Sequence, residues 1–238
     1  MTLIITVYCK EGIVMASDSR TTYDSTESPV KFDDIQKQIV QHGIHFTDTT
    51  YKTFVTANSI GISTCGAACI NNSPITGYIE AFVRDNAKTS IDNLPLKLRD
   101  YFKTLDPNLD TIFHVAGYEK GSALQKMYVV TTKSGAITQT DLTNAGASWS
   151  GERDVVTKLV IPVAQITGDE KTAPIPNYEI LWQYFTLQDA IDFAEYAIKT
   201  TIDTMKIQKR VKTVGGPIDI LVIKPEGAQW MAHKELHV

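Results

Sequence analysis

Residues 2–20 run Thr2-Leu3-Ile4-Ile5-Thr6-Val7-Tyr8-Cys9-Lys10-Glu11-Gly12-Ile13-Val14-Met15-Ala16-Ser17-Asp18-Ser19-Arg20. Two apolar stretches flank Glu11-Gly12, which predicts strands over 2–9 and 12–17 joined as a hairpin. Met1 precedes Thr2, and aminopeptidases readily remove an initiator methionine when the next side chain is small. A freed Thr2 would carry an α-amine with a pKa of about 7.7–8.0 beside its own hydroxyl. Serine and threonine hydroxyls are weak nucleophiles until a base takes their proton. A terminal threonine brings that base with it.

Working outward, residues 21–38 are polar and aperiodic and read as a surface loop. Strand character returns over 39–46 and 52–65. A helix is predicted from Ser73-Pro74, with the serine capping it and Ile75, Ile79, Phe82 and Val83 on one face. A second helix covers about 92–104 on a stripe of Leu94, Leu98, Tyr101 and Phe102. Strands follow at 110–118 and 126–132, with a turn at Lys133-Ser134-Gly135. Residues 149–161 read as a helix turning Val155, Val156, Leu159 and Val160 inward, and 167–178 as a loop. Ala190, Ile191, Ala194, Ala197, Ile198, Ile202 and Met205 recur at helical spacing over roughly 187–207. Gly215-Gly216-Pro217 then breaks the chain before a buried strand at 218–223. No repeat or linker divides the sequence, so 1–238 is expected to form a single domain. The order of elements suits an α+β fold with helices packed on stacked antiparallel sheets, a four-layer α/β/β/α sandwich.

Composition excludes several classes. The 238 residues are 43% hydrophobic and 21% charged, ordinary for a globular protein. A net charge of −4 and a pI near 5.7 argue against a nucleic-acid partner. The basic cluster Lys206–Lys212 falls at a helix end, where cations face the negative terminus. The run Leu3–Val7 lacks a basic leader and is cut short by Lys10-Glu11, so it does not read as a signal peptide. No stretch approaches the ~18 apolar residues of a membrane span. Cys9, Cys65 and Cys69 are odd in number and expected to be free thiols. These features predict a cytoplasmic protein. His42 and His45 form H-x2-H without further ligands at suitable spacing, so no metal is expected. No phosphate-binding loop is present, and no cofactor is expected. Tyr178, Trp182, Tyr184 and Phe185 read as core or subunit-contact residues.

Laid in register, the chain resembles the proteasome β-subunit group of N-terminal nucleophile hydrolases. Thr2–Val7 and Glu11–Thr22 match that family's nucleophile strand and second strand. The family's aspartate lies sixteen positions past the nucleophile, where Asp18 falls. Arg20 and Thr22 match an arginine and a substrate-contacting serine or threonine. Tyr51-Lys52-Thr53-Phe54-Val55 resembles the segment of the catalytic lysine, arriving about eighteen residues late, which makes 21–38 an insertion. Gly66 follows Lys52 by fourteen residues, the family's spacing to its oxyanion-hole glycine. Gly215–Ile223 resembles its Gly-Gly pair and last core strand. There are departures: Val211 and Val214 replace an aspartate and a serine, and the serine loop is kept only as Gly146–Gly151, with Ser148 or Ser150 as the candidate.

The resemblance implies a threonine-type endopeptidase or amidohydrolase. Thr2 Oγ1 would attack a carbonyl and its amine would take the proton. Lys52 would favour the alkoxide, Asp18 would orient Lys52, and a Gly66 N–H would hold the oxyanion, with Ser148 assisting. Substrate-binding residues would be Arg20, Thr21, Thr22, Thr50, Phe54, Thr64, Ala68 and Asn72. Cys65 and Cys69 read as packing residues, with Cys65 adjoining the site and a reactive thiol there as the alternative. The expected partners are a peptide or small amide substrate and further copies of the chain in a ring or stack, with any ATPase encoded elsewhere. Two other classes stay open: a catalytically silent assembly subunit, and a small-molecule amidase or transpeptidase.

Overall fold

A computed structural model describes residues 2–26, 42–166 and 172–235. The first sheet runs, in spatial order, β12 (Gly146–Gly151), β1 (Leu3–Cys9), β2 (Gly12–Ser17), β15 (Asp219–Lys224) and β16 (Gly227–Ala232). The second runs β11 (Ala136–Gln139), β10 (Gln125–Thr131), β9 (Thr111–Tyr118), β6 (Gly61–Gly66) and β5 (Thr53–Val55). Every neighbouring pair in both is antiparallel. Three two-stranded pairs complete the β structure: β3 (Thr21–Thr26) with β4 (His42–Thr47), β7 (Cys69–Ile70) with β8 (Ser73–Pro74), and β13 (Ala164–Ile166) with β14 (Thr172–Pro174). The α-helices are α1 (Ile75–Asp85), α2 (Leu94–Leu105), α3 (Asp154–Val160) and α4 (Leu187–Ile207).

The opening hairpin is buried on both sides, which explains its unbroken apolar run. Leu3, Ile5 and Val7, with Val14, Ala16, Ile220 and Val222, pack on Ala190, Ala194, Ala197 and Ile198 of α4. The alternate residues Ile13, Met15, Leu221 and Ile223 meet Ala116 and Met127 of the second sheet. That sheet's other face, with Phe54, Ile62, Phe113 and Val130, packs on Ile79 and Phe82 of α1 and Leu98 and Phe102 of α2. Each fully buried side chain of this size contributes about 1.5–3 kcal/mol relative to exposure. Two polar bridges interrupt the apolar layer between the sheets. Thr6 Oγ1 lies 3.0 Å from His114 Nδ1, whose Nε2 is 2.9 Å from Ser150 Oγ. Thr53 Oγ1 donates to Ser17 Oγ at 2.8 Å and lies 2.9 Å from Ser63 Oγ.

Several expectations change. Residues 21–26 are a strand rather than a loop, while 27–41 lie outside the described residues. The stretch 52–65 is two strands, because Ile60 O and Thr56 N close a turn at 2.9 Å between them. Pro74, not Ser73, precedes the first turn of α1, and no side chain caps that helix. The expected helix at 149–161 is shorter: Trp149, Ser150 and Gly151 are drawn into β12 by pairing with β1, and only Asp154–Val160 is helical. Val155 and Val156 are buried there, whereas Leu159 is exposed. Strands β7, β8, β11, β13, β14 and β16 were not expected, being short or at an edge where burial imposes little pattern. Trp182 and Phe185 pack against the α4 core, while Tyr178 and Tyr184 are exposed. All three cysteines are free. No helix among the described residues is long and apolar enough to cross a membrane.

Candidate active site

The site forms where β1 begins. Side chains alternate along a strand, so Thr2 shares the face of Ile4 and Thr6 and looks toward the second sheet. Thr2 is buried, and its carbonyl accepts from Glu152 N at 2.8 Å. Gly151 makes that contact possible: its φ is +96°, and a Cβ there would sit 1.7 Å from Thr2 O. The next residue, Leu3, donates its N–H to Asp18 Oδ1 at 3.1 Å.

Asp18 is fully enclosed and its carboxylate is saturated. Oδ1 accepts from Leu3 N and, at 2.9 Å, from Lys52 Nζ. Oδ2 accepts from Arg20 N at 3.1 Å and Gly215 N at 3.0 Å. The glycine pair after Val214 thus serves the site through a backbone donor. Lys52 Nζ also donates to Arg20 O. Burial pushes the Lys52 ammonium below the usual lysine range, against the opposing pull of Asp18. The cation is held by one carboxylate and one carbonyl.

Gly66 ends β6 with φ +123°, where a Cβ would meet Asp110 O at 2.4 Å. Thr64 N donates to Lys52 O at 2.9 Å. Backbone donors alternate sides along an antiparallel strand, so the Gly66 N–H faces the same way, past the start of β5. Thr2, Lys52 and Gly66 line one cavity of about 120 Å³ there. Thr21, Thr22, Thr50, Thr64 and Ala68 also line it, joined by Tyr51, Cys65, Ala67 and Ile75. A larger recess of about 870 Å³ lies at the other end of β1, around Tyr8, Lys10, Lys126 and Asp141. It holds none of the candidate residues. The small cavity brings the Thr2 hydroxyl, the Lys52 ammonium and the end of β6 at Gly66 together.

Four expected residues are placed elsewhere. Phe54 packs in the core against α1 and α2, and Asn72 is exposed outside the cavity. The Arg20 guanidinium turns away to a bidentate pair with Asp48, at 2.6 and 2.7 Å, and over the Phe46 ring; only its backbone reaches Asp18 and Lys52. Ser148 pairs with Thr6, four residues along β1 from Thr2, and edges a separate surface pocket with Trp149 and Arg153. Ser150 is engaged by His114, which burial holds down at about 3 and therefore neutral. Cys65 does adjoin the site, but burial pushes its thiol up to about 12. A thiol that stays protonated is a poor nucleophile, which argues against a reactive Cys65. Among the described residues no cluster of His, Cys, Asp and Glu is suited to a metal ion.

The structure also places polar groups that the sequence did not mark. Val214 is buried in the α4 core and Val211 is exposed, yet Thr213 Oγ1 donates to Glu152 Oε1 at 3.2 Å. Glu152 directly follows Gly151, so the serine loop carries a carboxylate where only serines were sought. A glycine at the end of a strand was the available signal.

No protein-family model matches the sequence, and no curated protein matches it. The fold is similar to solved structures of Anbu from Hyphomicrobium sp. strain MC1. One is the Gly-1 mutant, with a TM-score of 0.64 and 14% identity, covering 98% of this chain and 86% of that one. Another Anbu structure gives a TM-score of 0.63 and 12% identity with the same coverage. At this identity the likeness concerns the fold alone.

Proposed function

We propose that this chain is a threonine-type N-terminal nucleophile hydrolase of amide bonds, built as a four-layer α/β/β/α sandwich and activated by removal of Met1. The observation that carries the reading is the enclosed Asp18–Lys52 pair beneath the cavity shared by Thr2 and Gly66. In that reaction the freed α-amine accepts the Thr2 hydroxyl proton as Oγ1 bonds to the carbonyl carbon. The Lys52 charge lowers the energy of the developing alkoxide, and the Gly66 N–H receives the oxyanion. One such donor contributes about 2.7–4 kcal/mol. The protonated amine then passes its proton to the leaving nitrogen, the C–N bond breaks, and water hydrolyses the ester on Thr2.

A second reading, a small-molecule amidase, is favoured by the cavity itself. About 120 Å³ lined largely by threonines and alanines suits a short acyl group without charge. Intact-mass analysis with a β-lactone electrophile tests the proposal. Loss of Met1 and one adduct, absent from Thr2→Ala, supports it; a chain that keeps Met1 and takes no label overturns it. Turnover of small amides with none of peptides selects the second reading.

A further inference from the structure

A second buried aspartate–lysine pair lies beside the first. Asp219 opens β15 directly opposite Ser17, the residue before Asp18, and is fully enclosed. Lys234, beyond β16, grips it twice: its backbone N–H donates to Oδ1 at 2.9 Å and its Nζ to Oδ2. The same residue is fastened to the site wall. Tyr51 OH donates to Lys234 O at 3.1 Å, and Lys234 Nζ sits 4.5 Å above the Tyr51 ring. His233 stacks on Tyr51 at 4.9 Å and on Trp230 at 4.0 Å. Tyr51 lines the cavity and directly precedes Lys52.

We propose that Trp230, His233 and Lys234 form a clasp that positions Lys52 through Tyr51, with the Lys234–Asp219 pair setting the electrostatic field at that lysine. Lys234 is thus a positioning residue for the reaction, and the inference rests on the hydrolase reading above. Tyr51 is held on three contacts from one short segment, so the backbone carrying Lys52 has little freedom to drift. The titratable groups facing Lys52 are Asp18 from the end of β2, Lys234, and the protonated Cys65 thiol from β6; Lys234 is in turn faced by Asp219, whose Oδ1 also lies 3.5 Å from His233 Nδ1. A neighbouring cation makes an ammonium easier to deprotonate, and a neighbouring carboxylate makes it harder. Removing the Lys234 charge leaves Asp219 unbalanced and strengthens the Lys52 ammonium. Removing the Asp219 charge leaves Lys234 unbalanced and weakens it.

The test follows the rate of β-lactone labelling of Thr2 against pH in the full chain, with thermal unfolding recorded for each variant. The alkaline midpoint, where Lys52 loses its proton, is expected to rise by about one unit in Lys234→Met and to fall by about one unit in Asp219→Asn. Lys234→Arg keeps the cation and is expected to restore the wild-type midpoint, so Lys234→Met against Lys234→Arg suffices if Asp219→Asn does not fold. A residue with only a structural role would lower the unfolding temperature in every variant and leave the midpoints superimposed. Superimposed midpoints with wild-type labelling intact overturn the clasp alone. Absence of label in the wild type overturns the hydrolase reading and the clasp with it.

Discussion

Lys52 Nζ stands 2.9 Å from Asp18 Oδ1 with both side chains closed to solvent, but the two partners are not equally dependent on each other. Asp18 keeps three backbone donors, from Leu3, Arg20 and Gly215, if the lysine is lost. Lys52 keeps only the Arg20 carbonyl if the aspartate is lost. Breaking a buried pair costs about 3–5 kcal/mol when it strands an uncompensated charge. Asp18→Asn also turns an amide N–H toward donors. It is therefore expected to lose that full amount, and Lys52→Met clearly less, by urea unfolding. Equal losses would refute the asymmetry. Both variants are expected to lose Thr2 labelling.

Gly66→Ala is expected to lower stability and labelling together. A non-glycine residue held at φ +123° costs on the order of 1–3 kcal/mol, and the Asp110 carbonyl, 2.4 Å from the new Cβ, cannot withdraw because it accepts from Ala67 N at 3.0 Å. For a chain of this length each 1 kcal/mol corresponds to a fall of about 2–4 °C in unfolding temperature. An alanine variant that unfolds with the wild type would show that β6 ends differently.

What the sequence made legible depended on periodicity and on fixed spacing. The hairpin at the start and the long helix α4 carry unbroken patterns because each buries a continuous face, and both appear within a residue or two of their expected bounds. Thr2, Asp18, Lys52 and Gly66 were legible as a set only through the resemblance to a family that keeps them at fixed intervals; Thr2 and Asp18 flank the opening hairpin, Lys52 precedes β5 and Gly66 ends β6. Ser148 lies too far along β12, opposite Thr6 rather than Thr2; Phe54 was misplaced for a different reason. Strand side chains alternate, and a one-residue choice within a short strand decides whether a side chain meets a cavity or a helix. The Glu152–Thr213 and Asp219–Lys234 contacts left no trace at all. Each joins residues whose nearness is created by sheet order, and neither partner is part of a local pattern.

The three thiols are expected to separate under alkylation. Cys9 and Cys65 are buried and Cys69 is partly exposed. Burial raises all three thiols above their ordinary range, with Cys65 highest at about 12. Iodoacetamide at pH 8 on folded protein is expected to give a single adduct, mapped to Cys69. Modification of Cys65 before Cys69 would mean that the cavity opens more widely than its lining shows.

His114 supplies a pH dependence that is independent of catalysis. Its ring is enclosed between the sheets, with Thr6 on Nδ1 and Ser150 on Nε2, and burial holds it down at about 3. An unfolded histidine titrates near 6.5. The unfolded chain therefore binds the proton first, and the folded state loses stability as pH falls from about 6.5 toward 3. At pH 5 the loss is roughly 2 kcal/mol, from about 1.5 units at 1.36 kcal/mol each. His114→Gln keeps a polar side chain without the titration. Its stability deficit relative to wild type should be constant above pH 7 and shrink by that amount by pH 5, measured by urea unfolding at each pH. A deficit that does not change with pH would mean that the histidine gains its proton without leaving the bridge, and so that the layer between the sheets admits water.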